Sequence, residues 1–230
     1  MRNTILFLVL LSGFSLFAQE QLTLDNLNDF KDQTGNWQIV GDVVMNPNID
    51  IHQAETAEEE SGKKRKKRKR KNETEPAKAV TFSPGTGILL NNPENGKDNL
   101  VTKWEHGDIY LEMDVMLPKG SNSGIYLQGR YEIQLNDAWG VKVPKFSDIG
   151  GIYRNWENEP GKIFRGIAPL SNPAKAPGLW QHLKIHFKAP RFDESGNKIA
   201  NAKFVSIELN GELIQNNVEV PLATGGPISA

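Results

Sequence analysis

The 230-residue sequence contains no cysteine, which excludes disulfide bonds, thiolate nucleophiles, cysteine-based zinc sites and a lipid-modified amino-terminal cysteine. It also contains no segment with a convincing helical period, no phosphate-binding glycine loop and no Ser–His–Asp signature. Histidine is scarce, and His52 and His106 are isolated. His182 and His186 lie four residues apart on a predicted strand, about 13 Å, which is too far to share one metal ion. No metal motif emerges, although the many Asp, Glu and Asn residues leave a Ca²⁺-type site open.

Basic residues are concentrated in one stretch, where nine of the 27 lie in Lys63–Lys71. Without these and Arg2, 17 basic residues stand against 28 acidic ones, a net charge of about −11. We therefore expect an acidic folded part that does not bind nucleic acid. The basic run follows an acidic block, and no apolar residue occurs between Ala57 and Pro76. This pattern predicts a disordered charged insertion at about 55–75, and a polyanion-binding arm is the alternative.

The amino terminus has the pattern of a secretory signal peptide over residues 1–18. Arg2 supplies the positive charge, Ile5–Phe17 the apolar run, and Ala18 a small residue before the cleavage point. The apolar run is shorter than the ~20 residues that span a bilayer, so an uncleaved membrane anchor is the less favoured interpretation. The sequence thus predicts export to a bacterial periplasm or beyond, with no membrane span after cleavage. Residues 19–230 form a single predicted domain.

Short alternating segments predict strand after strand. They are Trp37–Val44 with a Gly41–Asp42 turn, Ala79–Phe82, Gly87–Leu90, Leu100–Trp104, Asp108–Leu117, Leu179–Phe187, Phe204–Asn210 and Glu212–Val220. Asn210-Gly211 is a strong hairpin signal, and Val141–Pro177 is a predicted long loop region. This pattern is typical of an all-β antiparallel sandwich of jelly-roll type. Because the chain stops soon after its last predicted strand, we expect that one closing strand is missing.

The densest pattern is Asn122–Gly140, NSGIYLQGRYEIQLNDAWG, which predicts a hairpin. If apolar residues are to share one face, Leu127 must pair with Tyr131, which leaves a three-residue loop with Gly129 at positive φ. Tyr126, Glu132 and Gln134 then share the opposite face, and this face is predicted to be exposed.

The side chains of this face suit acid–base chemistry on a sugar. Glu132 and Gln134 lie about 6.5–7 Å apart along the strand, and Asp137 follows in a loop that can fold back. Trp139, Trp156, Tyr126 and Tyr153 offer flat surfaces for sugar rings. The alternative is that Glu132 is an ordinary exposed residue paired with Arg130.

A second patch, Gly150–Trp156, combines a Gly-Gly pair with Tyr153, Arg154 and Trp156. Arg154 can bind an oxyanion or sugar hydroxyls. The alternative is a glycine turn with a surface arginine and a packing tryptophan.

These motifs carry a family resemblance. NSGIYLQGRYEIQLNDAWG, GGIYRNW and the stretch from APLSNPAKAPGLWQ to ELIQNNVEV resemble the 3-keto-disaccharide hydrolase domain family, over about residues 100–226. The resemblance implies a concanavalin A-like lectin/glucanase sandwich. The charged insertion and the early stop depart from the family pattern.

The resemblance implies cleavage of glycosides already oxidised at C3, in which a base removes the C2 proton and the C1 substituent leaves. Such a site needs a carboxylate base, a cationic group or divalent metal ion near the ketone oxygen, and an acid at the leaving group. The implied roles are Glu132 as base, Asp137 as its partner or a metal ligand, and Arg130 or Arg154 as electrophile. Tyr126, Gln134, Trp139, Tyr153 and Trp156 would line the pocket.

Two other functions remain open at this point. One is a non-catalytic, lectin-like carbohydrate-binding module, since this fold serves lectins as readily as hydrolases. The other is an adhesion or polyanion-binding protein that uses Lys63–Lys71. The sequence gives no oligomeric state.

Overall fold

The computed structural model describes residues 21–31, 35–51, 78–92, 98–157 and 159–224. The predicted signal peptide, the predicted charged insertion and residues 225–230 lie outside these ranges. Within them, ten strands form the regular structure: β1 Trp37–Met45, β2 Val80–Asn91, β3 Ile109–Met116, β4 Asn122–Leu127, β5 Tyr131–Asn136, β6 Trp180–Lys188, β7 Arg191–Phe192, β8 Lys198–Ala200, β9 Ala202–Leu209 and β10 Glu212–Val220. All their pairings are antiparallel, which confirms the predicted fold class. This part of the chain contains no helix with the length and apolar character needed to cross a membrane.

The largest sheet has the strand order β10-β9-β6-β3. In β6 the side chains alternate, so that Leu183, Ile185 and Phe187 are buried while the residues between them face outward. The tight turn between β9 and β10 has positive φ at both Asn210 and Gly211, 54° and 84°. The two-residue hairpin predicted there is confirmed.

The hairpin β4–β5 forms the layer that covers the inner face of this sheet. Ile133 and Leu135 belong to the same buried cluster as the inward residues of β6, β9 and β10. The ring of Tyr131 lies 5.6 Å from that of Phe187, which in turn lies 5.2 Å from that of Phe204. The core therefore anchors one face of β5 and leaves its other face for polar side chains.

A second pair of strands, β1 and β2, differs from the prediction in two ways. The two predicted segments before and after Pro84 form one long strand, β2, and the predicted Gly41–Asp42 turn is a bulge within β1. The register passes from Val40↔Ile88 to Asp42↔Ser83 at this point. A Cβ on Gly41 would lie 2.8 Å from the Cα of Gly85, so the backbones touch where the strands bend. Two small residues facing each other thus produce a bulge rather than a chain reversal.

The predicted strand Leu100–Trp104 is wrong. This segment makes one isolated bridge, Phe30↔Thr102, because the turn preceding Lys31 offers only a short stretch of backbone to pair with. The Thr102 hydroxyl donates to the Trp104 carbonyl at 3.0 Å and bends the chain away after that bridge.

Gly41→Ala is expected to lower the free energy of unfolding by about 1–3 kcal/mol, because the new methyl group would meet backbone atoms that cannot rotate away. Urea denaturation measures the change. Gly107→Ala is the matched control, since a Cβ there meets nothing within 4 Å, and it should be neutral within about 0.5 kcal/mol. Equal stability of the two variants would contradict the close contact at Gly41.

Candidate functional site

The register of the β4–β5 hairpin places the candidate residues on one face, as predicted. Leu127 pairs with Tyr131 and Tyr126 with Glu132, which leaves the expected three-residue loop. Gly129 has φ 65°, and Gln128 shares the left-handed conformation with φ 53°. The backbone amide of Gln128 donates to Nε2 of His106 at 3.1 Å, and this bond holds the tip of the hairpin against the loop that contains His106.

The predicted exposure of this face is wrong for its two central residues. Glu132 is 7% exposed and Gln134 is 3% exposed. Their side chains pack on one another and on Gly124, and a segment of the long loop region, Gly150–Tyr153, pairs with the free edge of β5. Gln134 N donates to the Gly151 carbonyl at 2.8 Å, and Tyr153 N donates to the Glu132 carbonyl at 3.0 Å. The two motifs that the sequence singled out separately therefore meet along one strand.

The Glu132 carboxylate lies above Gly124, the residue of β4 that is diagonal to it in the ladder. A Cβ on Gly124 would lie 2.5 Å from Glu132 Oε1, so only glycine leaves room for the carboxylate. The Gln134 side-chain amide lies 3.3 Å from Glu132 Oε1 and 2.9 Å from the Ser123 carbonyl oxygen, and with its nitrogen toward them it donates to both. We call Tyr126, Glu132, Gln134 and Tyr153 the Glu132 cluster.

Burial raises the pKa of Glu132 above the ordinary carboxyl value, and a hydrogen bond from the Tyr126 phenol acts in the opposite direction. Burial is also the main cause that raises the pKa of Tyr126, and the nearby charge of Glu132 adds to it. The phenol thus stays protonated and donates to the carboxylate. This pair combines a carboxylate of increased basicity with a neutral donor that orients it.

Aromatic side chains extend from the Glu132 cluster toward solvent. The ring of Tyr153 lies 5.4 Å from that of Phe146 and 5.9 Å from that of Trp156. Trp156 is 63% exposed, and the Arg154 guanidinium lies 4.0 Å from the centre of its ring. Exposure rises from Glu132 through Tyr153 to Trp156. The aromatic side chains therefore lead from the buried carboxylate to an exposed tryptophan, against which the Arg154 guanidinium packs.

Three other candidate residues lie apart from the Glu132 cluster. Asp137 follows β5, about 16 Å along the chain from Glu132 at the strand rise, and its carboxylate accepts from the amides of Gly120 at 3.1 Å and Trp139 at 3.2 Å. Trp139 borders a surface groove of about 480 Å³ with Leu170 and its neighbours. Arg130 is exposed in the loop at the hairpin tip, two residues before Glu132.

The histidines of β6 engage separate partners on the outer face of the four-stranded sheet. His182 Nδ1 lies 2.8 Å from Asp114 Oδ1, and its Nε2 lies 3.1 Å from Glu112 Oε1. His186 stacks on Tyr110 at 3.9 Å. Among the described residues, no group of three or more His, Cys, Asp or Glu side chains is arranged to hold a metal ion.

Two residues at the site were missed from the sequence. Gly124 leaves the space that the Glu132 carboxylate occupies. A glycine inside a predicted strand is a sign of such a close approach. Thr224 lies beyond the last predicted strand, is 1% exposed, and bonds to the backbone of both β5 and Gly150–Tyr153. No local pattern marked it, because its partners are distant in sequence.

A family model described as a 3-keto-alpha-glucoside-1,2-lyase-like domain matches residues 59–229. This match confirms the resemblance found in the sequence. Among solved structures, the chain is similar to a proposed glycosyl hydrolase from Parabacteroides distasonis, with 26% identity and a TM-score of 0.47. The alignment covers 66% of this chain and 62% of that one. A search of curated proteins gave no significant match.

Tyr126→Phe is expected to move the ionisation midpoint of Glu132 upward. The phenol hydrogen bond stabilises the charged carboxylate and so lowers the pKa of Glu132. Without it, desolvation alone acts on this pKa, and the carboxyl group holds its proton more tightly. Carbon-13 NMR of the glutamate carboxyls as a function of pH measures the midpoint. Tyr110→Phe, on the outer face of the other sheet, is the control and should leave it unchanged. A midpoint that falls in Tyr126→Phe would contradict the assigned donor.

Proposed function

Because the chain belongs to the 3-keto-α-glucoside-1,2-lyase-like family, we propose that it cleaves glycosides whose sugar ring carries a ketone at C3, with Glu132 as the base. The observation that carries this proposal is the buried carboxylate of Glu132, whose pKa burial raises, beside the Tyr126 phenol. Family membership makes the chain a carbohydrate-active protein of glycosyl hydrolase-like type. The choice of base and the reaction are our inference.

The chemistry begins at C2, where the neighbouring ketone makes the proton acidic. Glu132 takes this proton, the C2–H electrons form the enolate, and charge develops on the C3 oxygen. Collapse of the enolate forms the C1–C2 double bond and breaks the C1–O bond, and the leaving oxygen takes a proton. Addition of water across the double bond then gives the net hydrolysis product.

A single carboxylate suits this reaction better than direct displacement at C1. Glycosidases that work without a ketone use two carboxyl groups about 5–9.5 Å apart, one as acid and one as base or nucleophile. The hydrogen-bonding side chains at the Glu132 carboxylate are the Tyr126 phenol and the Gln134 amide, and neither is a carboxyl group. Asp137 is engaged with backbone amides at the other end of the strand. Elimination next to a ketone needs only one strong base, and the cluster offers one.

The remaining roles follow from position. We take Arg154 as the cation for the developing charge on the C3 oxygen, because its guanidinium packs against Trp156, whose ring lies 5.9 Å from that of Tyr153. We assign protonation of the leaving oxygen to the Tyr153 phenol, whose ring lies 5.9 Å from the proposed stacking surface of Trp156. Trp156 provides the surface on which a sugar ring stacks.

We further propose that the protein acts after export, in the periplasm or outside the cell, as the amino-terminal sequence predicts. Its substrate would be an oligosaccharide or glycoside from the surroundings. Fractionation of the producing cells, with detection of the processed amino terminus, tests this point.

Glu132→Gln is expected to lower turnover of a 3-keto-glucoside about 1,000-fold while sugar binding changes less than about threefold. Since burial raises the pKa of Glu132, its carboxylate costs stability at neutral pH, and the amide variant should unfold no more readily than wild type. Glu194→Gln, exposed in a turn between β7 and β8, is the matched control. Binding of sugar with no turnover by wild type would identify a lectin-like module instead.

For the wild-type protein, kcat/KM is expected to rise with pH through a midpoint above the ordinary glutamate value of about 4.3. The sign follows because the base works only when deprotonated, and burial delays its deprotonation. Initial rates across the acid range measure the midpoint. A rate that falls with rising pH over this interval would assign Glu132 the role of an acid.

A further inference from the structure

Thr224 follows β10 and is buried against the hairpin that carries Glu132. Its amide donates to the Arg130 carbonyl at 2.8 Å. Its hydroxyl accepts from Glu132 N at 3.2 Å and donates to the Tyr153 carbonyl at 3.3 Å. Thr224, which lies four residues beyond the end of β10, thus contacts both chain segments that form the Glu132 cluster.

The position of the hydroxyl within the ladder is unusual. Tyr153 N donates directly to the Glu132 carbonyl at 3.0 Å, as in an ordinary antiparallel pair. The reciprocal bond, from Glu132 N to the Tyr153 carbonyl, is replaced by the Thr224 hydroxyl, which stands between the two groups. A hydroxyl can do this because it donates one proton and accepts another. The two backbones are therefore held apart on one side by the width of an oxygen atom.

We propose that Thr224 is a positioning residue, whose hydroxyl sets the spacing between the Glu132 carboxylate and the Tyr153 phenol. The proposal rests on the proposed function only in giving these two groups their roles as base and acid. Replacing Thr224 by a residue without a hydroxyl can change the structure in two ways. Either Glu132 N and the Tyr153 carbonyl remain buried without partners, or the two backbones close up and bond directly. Both change the spacing across which a substrate would lie.

Thr224→Val keeps the shape of the side chain and removes the hydroxyl. We expect its kcat on a 3-keto-glucoside to fall about 10- to 100-fold, because small misplacements of reacting groups have effects of this size. KM should change less than about threefold, because the stacking surface at Trp156 is untouched. Thr224→Ser, which retains the hydroxyl, should recover most of the rate.

The matched control is Thr81→Val, the same substitution at an exposed threonine of β2 whose hydroxyl donates to the Val44 carbonyl at 3.4 Å. It should leave both kinetic constants unchanged. If Thr224→Val fails to fold, Thr224→Ala and Thr224→Ser decide the question. A serine variant as slow as the alanine variant would overturn the proposal, since the hydroxyl would then not be responsible.

A second measurement does not depend on turnover. In the carboxyl NMR titration, Thr224→Val should shift the midpoint of Glu132, because either rearrangement of the two backbones changes the solvation of its carboxylate, and Thr224→Ser should match wild type. An unchanged midpoint together with unchanged kcat would overturn the positioning role. Absence of wild-type turnover would refute the proposed function, while this titration would still decide the role of Thr224.

Discussion

The structure around β5 depends on one constraint, which is that a glutamate carboxylate lies inside the protein. Burying a charged carboxyl is costly unless hydrogen bonds compensate for the lost water. Gly124 provides the space, the Tyr126 phenol donates to the carboxylate, and the Gln134 amide lies within reach. The strand itself is held between β4 on one edge and Gly150–Tyr153 on the other. The conformation of β5, the space for the Glu132 side chain and the stability of its charge are therefore linked. A change at any of these neighbours would alter all three.

The sequence predicted the parts of this arrangement that depend on neighbouring residues. Period-2 alternation and Gly129 determine the hairpin and its register, because pairing that mixed the two faces would bury polar and expose apolar side chains. The same reasoning was correct for the turn at Asn210-Gly211. It was wrong for Leu100–Trp104, where a segment with strand propensity has no long partner to pair with. Strand propensity indicates what a segment can do, and the availability of a partner decides whether it does so.

Exposure of the candidate site was not predictable in the same way. Alternation shows that Glu132 lies opposite the core face of its strand, and this was correct. It does not show whether a later part of the chain covers that face. Here the covering segment begins at Gly150, in a region whose lack of periodicity predicted only a loop, and Thr224 arrives from the far end of the described chain. Contacts over such separations leave no local pattern. The expectation that Asp137 folds back toward Glu132 remains a prediction, and its carboxylate accepts from the backbone amides of Gly120 and Trp139.

The positions of Asp137 and Glu132 also bear on the chemistry. Asp137, which follows β5, accepts hydrogen bonds from backbone amides, whereas Glu132, the second residue of β5, is desolvated. Desolvation makes a base stronger. On the proposed function, one such base suffices because the substrate itself supplies the activation: a ketone at C3 acidifies the neighbouring proton. The proposed substrate chemistry would then take the place of a second carboxylate beside one buried acid and two phenols.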